Sequence, residues 1–119
     1  MLPLSAPAGG KSLLAFGLRG NLFRSEDAGA SWRRIDTGTV AQLDGAVQLA
    51  DEMVAIVGLS GAVLVSRDGA HTFALLQQAD RAGLAAAVPA GKASIVAVGE
   101  HGPKLITLGG APPGAASAP

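Results

Sequence analysis

The chain repeats itself every 41 residues, and the repeat runs without insertion or deletion from Ser12 to Thr107. Gly17-Leu18-Arg19-Gly20 falls on Gly58-Leu59-Ser60-Gly61, and then on Gly99-Glu100-His101-Gly102. The apolar stretch 13–16 falls on 54–57 and on 95–98, and Leu22-Phe23 falls on Val63-Leu64 and Lys104-Leu105. Leu43 and Val47 fall on Leu84 and Val88. Several matches in one register define a repeat protein, in which each unit must bury its apolar surface against its neighbours.

Within a unit the segments are too short for helices. Residues 12–17, 53–57 and 94–98 are apolar runs closed by glycine, which is the pattern of buried strands. Strands 21–25, 62–66 and 104–107 follow a Gly-x-x-Gly tight turn. Strands at 31–35 and 72–76 and at 44–49 and 83–88 complete the set. Ala85-Ala86-Ala87 favours a helix by intrinsic propensity, but the repeat register assigns a strand there. Four short strands in about 40 residues make one blade of a β-propeller. The expected fold class is therefore all-β, with antiparallel four-stranded blades forming part of a propeller.

Two stretches share a polar turn plan: SEDAGASW at 25–32 and SRDGAHTF at 66–73. Each reads Ser-x-Asp-x-x-x-(Ser/Thr)-aromatic, and the first holds the only tryptophan. A serine hydroxyl and an aspartate carboxylate can accept backbone N–H bonds where the chain reverses. The structural residues are expected to be Ser25, Asp27, Gly29, Ser31 and Trp32, and Ser66, Asp68, Gly69, Thr72 and Phe73. Gly29 supplies a left-handed conformation, and Gly69 stands in where Ala70 replaces that glycine. Trp32 is expected to be a buried anchor that staples the turn to the sheet. Phe16, Phe23 and Phe73 are likewise assigned to buried positions.

These motifs resemble the Asp-box, or BNR, repeat, Ser-x-Asp-x-Gly-x-(Thr/Ser)-Trp. Together with the preceding GLRGNLFRS, the first unit resembles the Ycf48-like propellers related to photosystem II assembly factors. The resemblance covers 12–107; the third unit, with TLGGAPPG at 107–114, has lost the box. It implies a scaffold without chemistry of its own, protein partners that include membrane-associated complexes, and an exported or periplasmic location. Asp-boxes also occur in sialidases, which use a tyrosine nucleophile and a cluster of arginines. This chain contains no tyrosine.

Composition narrows the function further. Net charge is zero, so there is no basic footprint for nucleic acid. No apolar run reaches the ~18 residues of a membrane-spanning helix. The opening MLPLSAPAGGK lacks the basic-then-apolar order of a signal peptide. The absence of cysteine excludes disulfides and thiolate sites. His71 and His101 stand alone in separate units, and one carboxylate per turn is too few for calcium. Gly9-Gly10-Lys11-Ser12 lacks the earlier glycine of a phosphate loop and reads as an ordinary loop. No catalytic, cofactor or metal residues are assigned. The one candidate partner surface is Arg19, Arg24, Arg33 and Arg34, whose alternative is salt pairing with Glu26, Asp27 and Asp36.

The expected organisation is an N-terminal extension at 1–11, a partial blade at 12–41, a full blade at 42–82, a partial blade at 83–107 and a flexible tail at 108–119. So short a stack leaves apolar faces and strand edges open. Further copies of the chain, another polypeptide or a longer natural sequence would complete it. A homo-oligomeric structural module is the alternative to the partner-binding scaffold, and a sialidase-like hydrolase fragment is a remote third.

Overall fold

Nearly every apolar run of the repeat forms a strand. The structure, a computed structural model, describes residues 2–4, 12–49, 53–91 and 93–108. The first sheet contains β1 (Leu2–Leu4), β2 (Ser12–Phe16), β3 (Leu22–Ser25) and β4 (Arg33–Arg34), in that order. The second contains β5 (Leu43–Gln48), β6 (Val54–Gly58), β7 (Val63–Ser66) and β8 (Ala74–Leu75). The third contains β9 (Leu84–Pro89), β10 (Ser94–Gly99) and β11 (Gly102–Thr107). All pairings are antiparallel.

The alanine-rich segment is a strand, because Ala86, Ala87 and Val88 pair with Val98, Ala97 and Val96 of β10. Two expectations about organisation change. The 1–11 stretch is more than an extension: β1 pairs with β2 and makes the first sheet four-stranded. Leu108, assigned to the tail, is fully buried and its N–H bonds the Ala93 carbonyl at 2.7 Å. The loop at 9–11 and the rest of the tail, 109–119, lie outside the described residues.

The second sheet is the middle layer, and its sequence reflects that. Val54, Ile56 and Leu64 pack on Leu14, Leu22 and Ile35 of the first unit. Ala55, Val57, Val63 and Val65 point the other way, into a cluster with Leu84, Ile95, Ala97 and Ile106 of the third. β6 and β7 are therefore buried along their whole lengths and read as continuous apolar runs. Complete burial of one such side chain contributes about 1.5–3 kcal/mol. Among the described residues β2 and β10 have one neighbouring sheet each, and their burial alternates.

The third unit breaks the period at one point. Leu13 pairs with Ser25 in the first sheet and Val54 with Ser66 in the second. The repeat would pair Ile95 with Thr107, but Ile95 faces Ile106 instead. The cause is the turn. In the first two units consecutive left-handed residues, Arg19 with Gly20 and Ser60 with Gly61, widen the connection. In the third, only Gly102 is left-handed (φ 83°), and Gly99 pairs directly with Gly102 around Glu100 and His101. A one-residue slip reverses which side of the sheet each β11 side chain occupies.

Candidate functional site

The two Ser–Asp turns follow β3 and β7 and have the same wiring. Ser25 Oγ accepts the N–H groups of Asp27 (3.3 Å) and Gly29 (2.8 Å) and donates to Asp27 Oδ1 at 2.8 Å. Asp27 then accepts the backbone N–H of Ser31 at 2.8 Å and its hydroxyl at 2.6 Å. Ser66 accepts from Asp68 (3.3 Å) and Ala70 (2.8 Å) and donates to Asp68 at 2.8 Å. Asp68 accepts the Thr72 N–H at 3.0 Å and hydroxyl at 2.6 Å, and also the His71 N–H at 3.1 Å. The exchange of glycine for alanine leaves the turn intact. Its two left-handed positions are Ala28 and Gly29 in the first copy (φ 61° and 98°) and Gly69 and Ala70 in the second (φ 73° and 72°). Each copy places one glycine and one alanine in that pair.

Those bonds hold both carboxylates ionised. The Ser31 hydroxyl, the Ser31 N–H and the Ser25 hydroxyl lower the Asp27 pKa to about 2. At Asp68 partial burial acts in the opposite direction, but the Thr72, Ser66 and His71 donors outweigh it and the pKa again falls to about 2. A carboxylate so fully engaged with its own turn is a poor general acid, which must hold a proton near neutral pH. The turns also connect units. His71 Nε2 lies 3.2 Å from Glu26 of the first turn, and Arg67 donates to the Leu108 carbonyl at 2.5 Å.

The aromatic that follows each turn behaves differently in the two copies, which corrects the expectation for Trp32. Phe73 packs against the cluster between the first and second sheets. Trp32 is 38% exposed. The position points toward the preceding sheet, and the first sheet has no such neighbour among the described residues. Phe16, Phe23 and Phe73 are all half-buried rather than fully buried.

The four arginines do not make one surface. Arg24 is only 6% exposed, its guanidinium bonded to Glu26 and to Ser12 Oγ (3.4 Å). It is therefore removed from the candidate surface, as its side chain lies on the sheet-facing side with Leu14. Arg19 occupies the exposed turn before β3, and Arg33 and Arg34 are exposed on β4, with Arg34 over the Phe23 ring at 5.8 Å. Of the proposed acidic partners, Glu26 takes Arg24, while Asp36 accepts the Gly38 N–H at 3.1 Å.

A concavity lies among the Gly-x-x-Gly turns and the starts of β5 and β9. This cleft of about 580 Å³ is lined by Asp44, Leu59, Ser60, Arg81, Gly83 and Glu100, among others. Glu100 accepts the Gly83 N–H at 2.5 Å, and Leu59 is 44% exposed. Arg81 is left-handed at φ 51°. The cleft combines an apolar side chain with charges of both signs. Leu59 and Arg81 carried no sequence signal as site residues, since the cleft they line is formed where the second unit meets the third. Among the described residues no group of three His, Asp or Glu side chains converges as a metal site would require.

Blades stacked face to face, each built from antiparallel strands in a 41-residue period, define a β-propeller-like protein. The chain is similar in fold to a solved structure of YCF48 bound to D1 peptide, with a TM-score of 0.64 at 16% identity. The match covers 85% of this chain and 37% of that one, so the chain spans little more than a third of its neighbour's length. No family model matches the chain, and no curated protein is significantly similar to it.

Proposed function

We infer that the chain is a non-catalytic propeller-type scaffold that binds a protein partner in the manner of an assembly factor. The observation that carries this reading is the cleft of about 580 Å³ at the Gly-x-x-Gly turns. Its exposed Leu59 offers an apolar anchor, and Asp44, Arg81 and Glu100 offer polar partners for a peptide main chain. The likeness to a propeller that binds a peptide supports the same class of ligand. The two Ser–Asp turns are read as Asp-boxes that serve the fold, and the kinship with Ycf48-like propellers belongs to the same reading. An extended segment of a partner protein is the expected ligand.

Selection of displayed peptides against the purified chain tests this. Selected peptides should lose affinity about tenfold or more on Leu59→Asp or Arg81→Glu, as for an interface anchor. Arg33→Glu, away from the cleft, should leave binding unchanged. Peptides that ignore both cleft substitutions would refute the assignment.

A further inference from the structure

Each side of the second sheet is covered by a neighbour, and the first and third sheets each have one side that no other sheet covers among the described residues. The uncovered sides are related by the repeat. On the first sheet, Leu13, Ala15 and Phe23 occupy the positions of Val54, Ile56 and Leu64, which the second sheet presses onto the first. Trp32 matches Phe73, which packs into that same contact. On the third sheet, Val88, Val96 and Val98 occupy the positions of Val47, Ala55 and Val57, which the second sheet presses onto the third. The two open sides are thus the two halves of a contact that the chain already makes twice.

The register slip of β11 makes the third sheet's open side more apolar. In the repeat register, Lys104 would match Val63 and stand on that side. Instead it is turned inward beside Ala97, where its ammonium lies 3.2 Å from Asp80. Leu105 takes a place on the open side next to Val96, with Pro103 next to Val98. The resulting surface is a patch of Ala86, Val88, Val96, Val98, Pro103 and Leu105 without a charge, in which Leu105 is 66% and Val88 56% exposed. A monomeric surface seldom leaves such a patch open. The edge of β11 that no described strand pairs, by contrast, carries Pro103 and Lys104, residues that discourage strand addition.

We propose that these two sides form one head-to-tail interface, occupied by a second copy of this chain. Such a contact is heterologous and closes only as a ring. Two copies carry six sheets, inside the propeller range of ~4–8. The inference rests on the fold and not on the cleft.

The chain has no cysteine, so single cysteines can be placed cleanly. Sedimentation velocity in the micromolar range should show association, and Leu105→Asp should weaken it about tenfold or more while the β-sheet circular dichroism is retained. When Leu13→Cys and Leu105→Cys chains are mixed with a short bismaleimide, the 13–105 product should dominate. A well-folded monomer throughout that range would overturn the proposal. So would association in which 105–105 links form and 13–105 links do not. Peptide binding at the cleft is a separate measurement, so failure of either leaves the other standing.

Discussion

Ile95 faces Ile106 across β10 and β11, whereas the 41-residue period would set it opposite Thr107. Both isoleucines are buried in the cluster between the second and third sheets. The slip therefore fills that cluster with a β-branched side chain at the place a threonine would have taken. Leu105 moves out to the open side in the same step.

Substitutions on adjacent β11 positions should separate sharply. Ile106→Ala should cost about 2–5 kcal/mol as a buried large-to-small change. Leu105→Ala should stay within about 0.5 kcal/mol in dilute, monomeric solution. Denaturant titration of the two variants decides the register, since the unshifted period predicts the opposite order.

The two Ser–Asp turns should be sensitive at serine more than at tryptophan. Ser66→Ala leaves the N–H groups of Asp68 and Ala70 without their acceptor, and should cost about 1–3 kcal/mol. Phe73→Ala should cost more than Trp32→Ala by about 1 kcal/mol or more, because only Phe73 is packed between sheets. Equal losses in chemical denaturation would restore Trp32 as a buried anchor. Tryptophan emission at a water-exposed wavelength in the dilute chain is the spectroscopic counterpart.

Three glycines at equivalent positions should respond differently to alanine. A Cβ on Gly58 would lie 2.0 Å from the Gln42 carbonyl oxygen, and one on Gly99 would lie 1.8 Å from that of Gly83. At Gly17 nothing lies within 4 Å. Thermal unfolding should show Gly58→Ala and Gly99→Ala destabilised by about 1–3 kcal/mol or more. Gly17→Ala should be nearly neutral. The close approaches occur at the register shifts where the ends of β6 and β10 pair with the starts of β5 and β9.

Acid should weaken the fold through the turns. In the unfolded chain Asp27 and Asp68 take up protons near 3.8, and in the folded chain near 2. The unfolded state therefore binds more protons between those values. The stabilisation is complete above about pH 4 and is lost as pH falls toward 2. Asp80, held low by the Ala82 N–H and by Lys104, adds in the same direction. Urea midpoints measured from pH 5 to 2 should fall, and Asp27→Asn with Asp68→Asn should flatten that dependence.

The repeat made the strands legible because a blade's local code is short. Apolar runs closed by glycine, a Gly-x-x-Gly turn and a Ser–Asp turn all act within a few residues of one another. Even the alanine-rich β9 was readable, since the period outweighed its helical propensity. The turn bonds of Asp27 and Asp68 belong to the same local level, and so does the equivalence of Gly29-type and Gly69-type turns.

The sequence by itself determined the period, the strands and the turn chemistry, because these depend on backbone geometry and on partners close along the chain. Only the tertiary structure decided which faces are covered. Trp32 and Phe73 occupy the same place in their units, yet one meets solvent and the other meets a sheet, because among the described residues the second sheet packs on a preceding one and the first does not. Arg24 reads as a surface charge but is enclosed beside Ser12 and Glu26. The slip that pairs Ile95 with Ile106 follows from a two-residue turn that the Gly-x-x-Gly spelling does not distinguish from its wider form. Burial is a property of the assembled layers, so it enters only when one unit is set against the next.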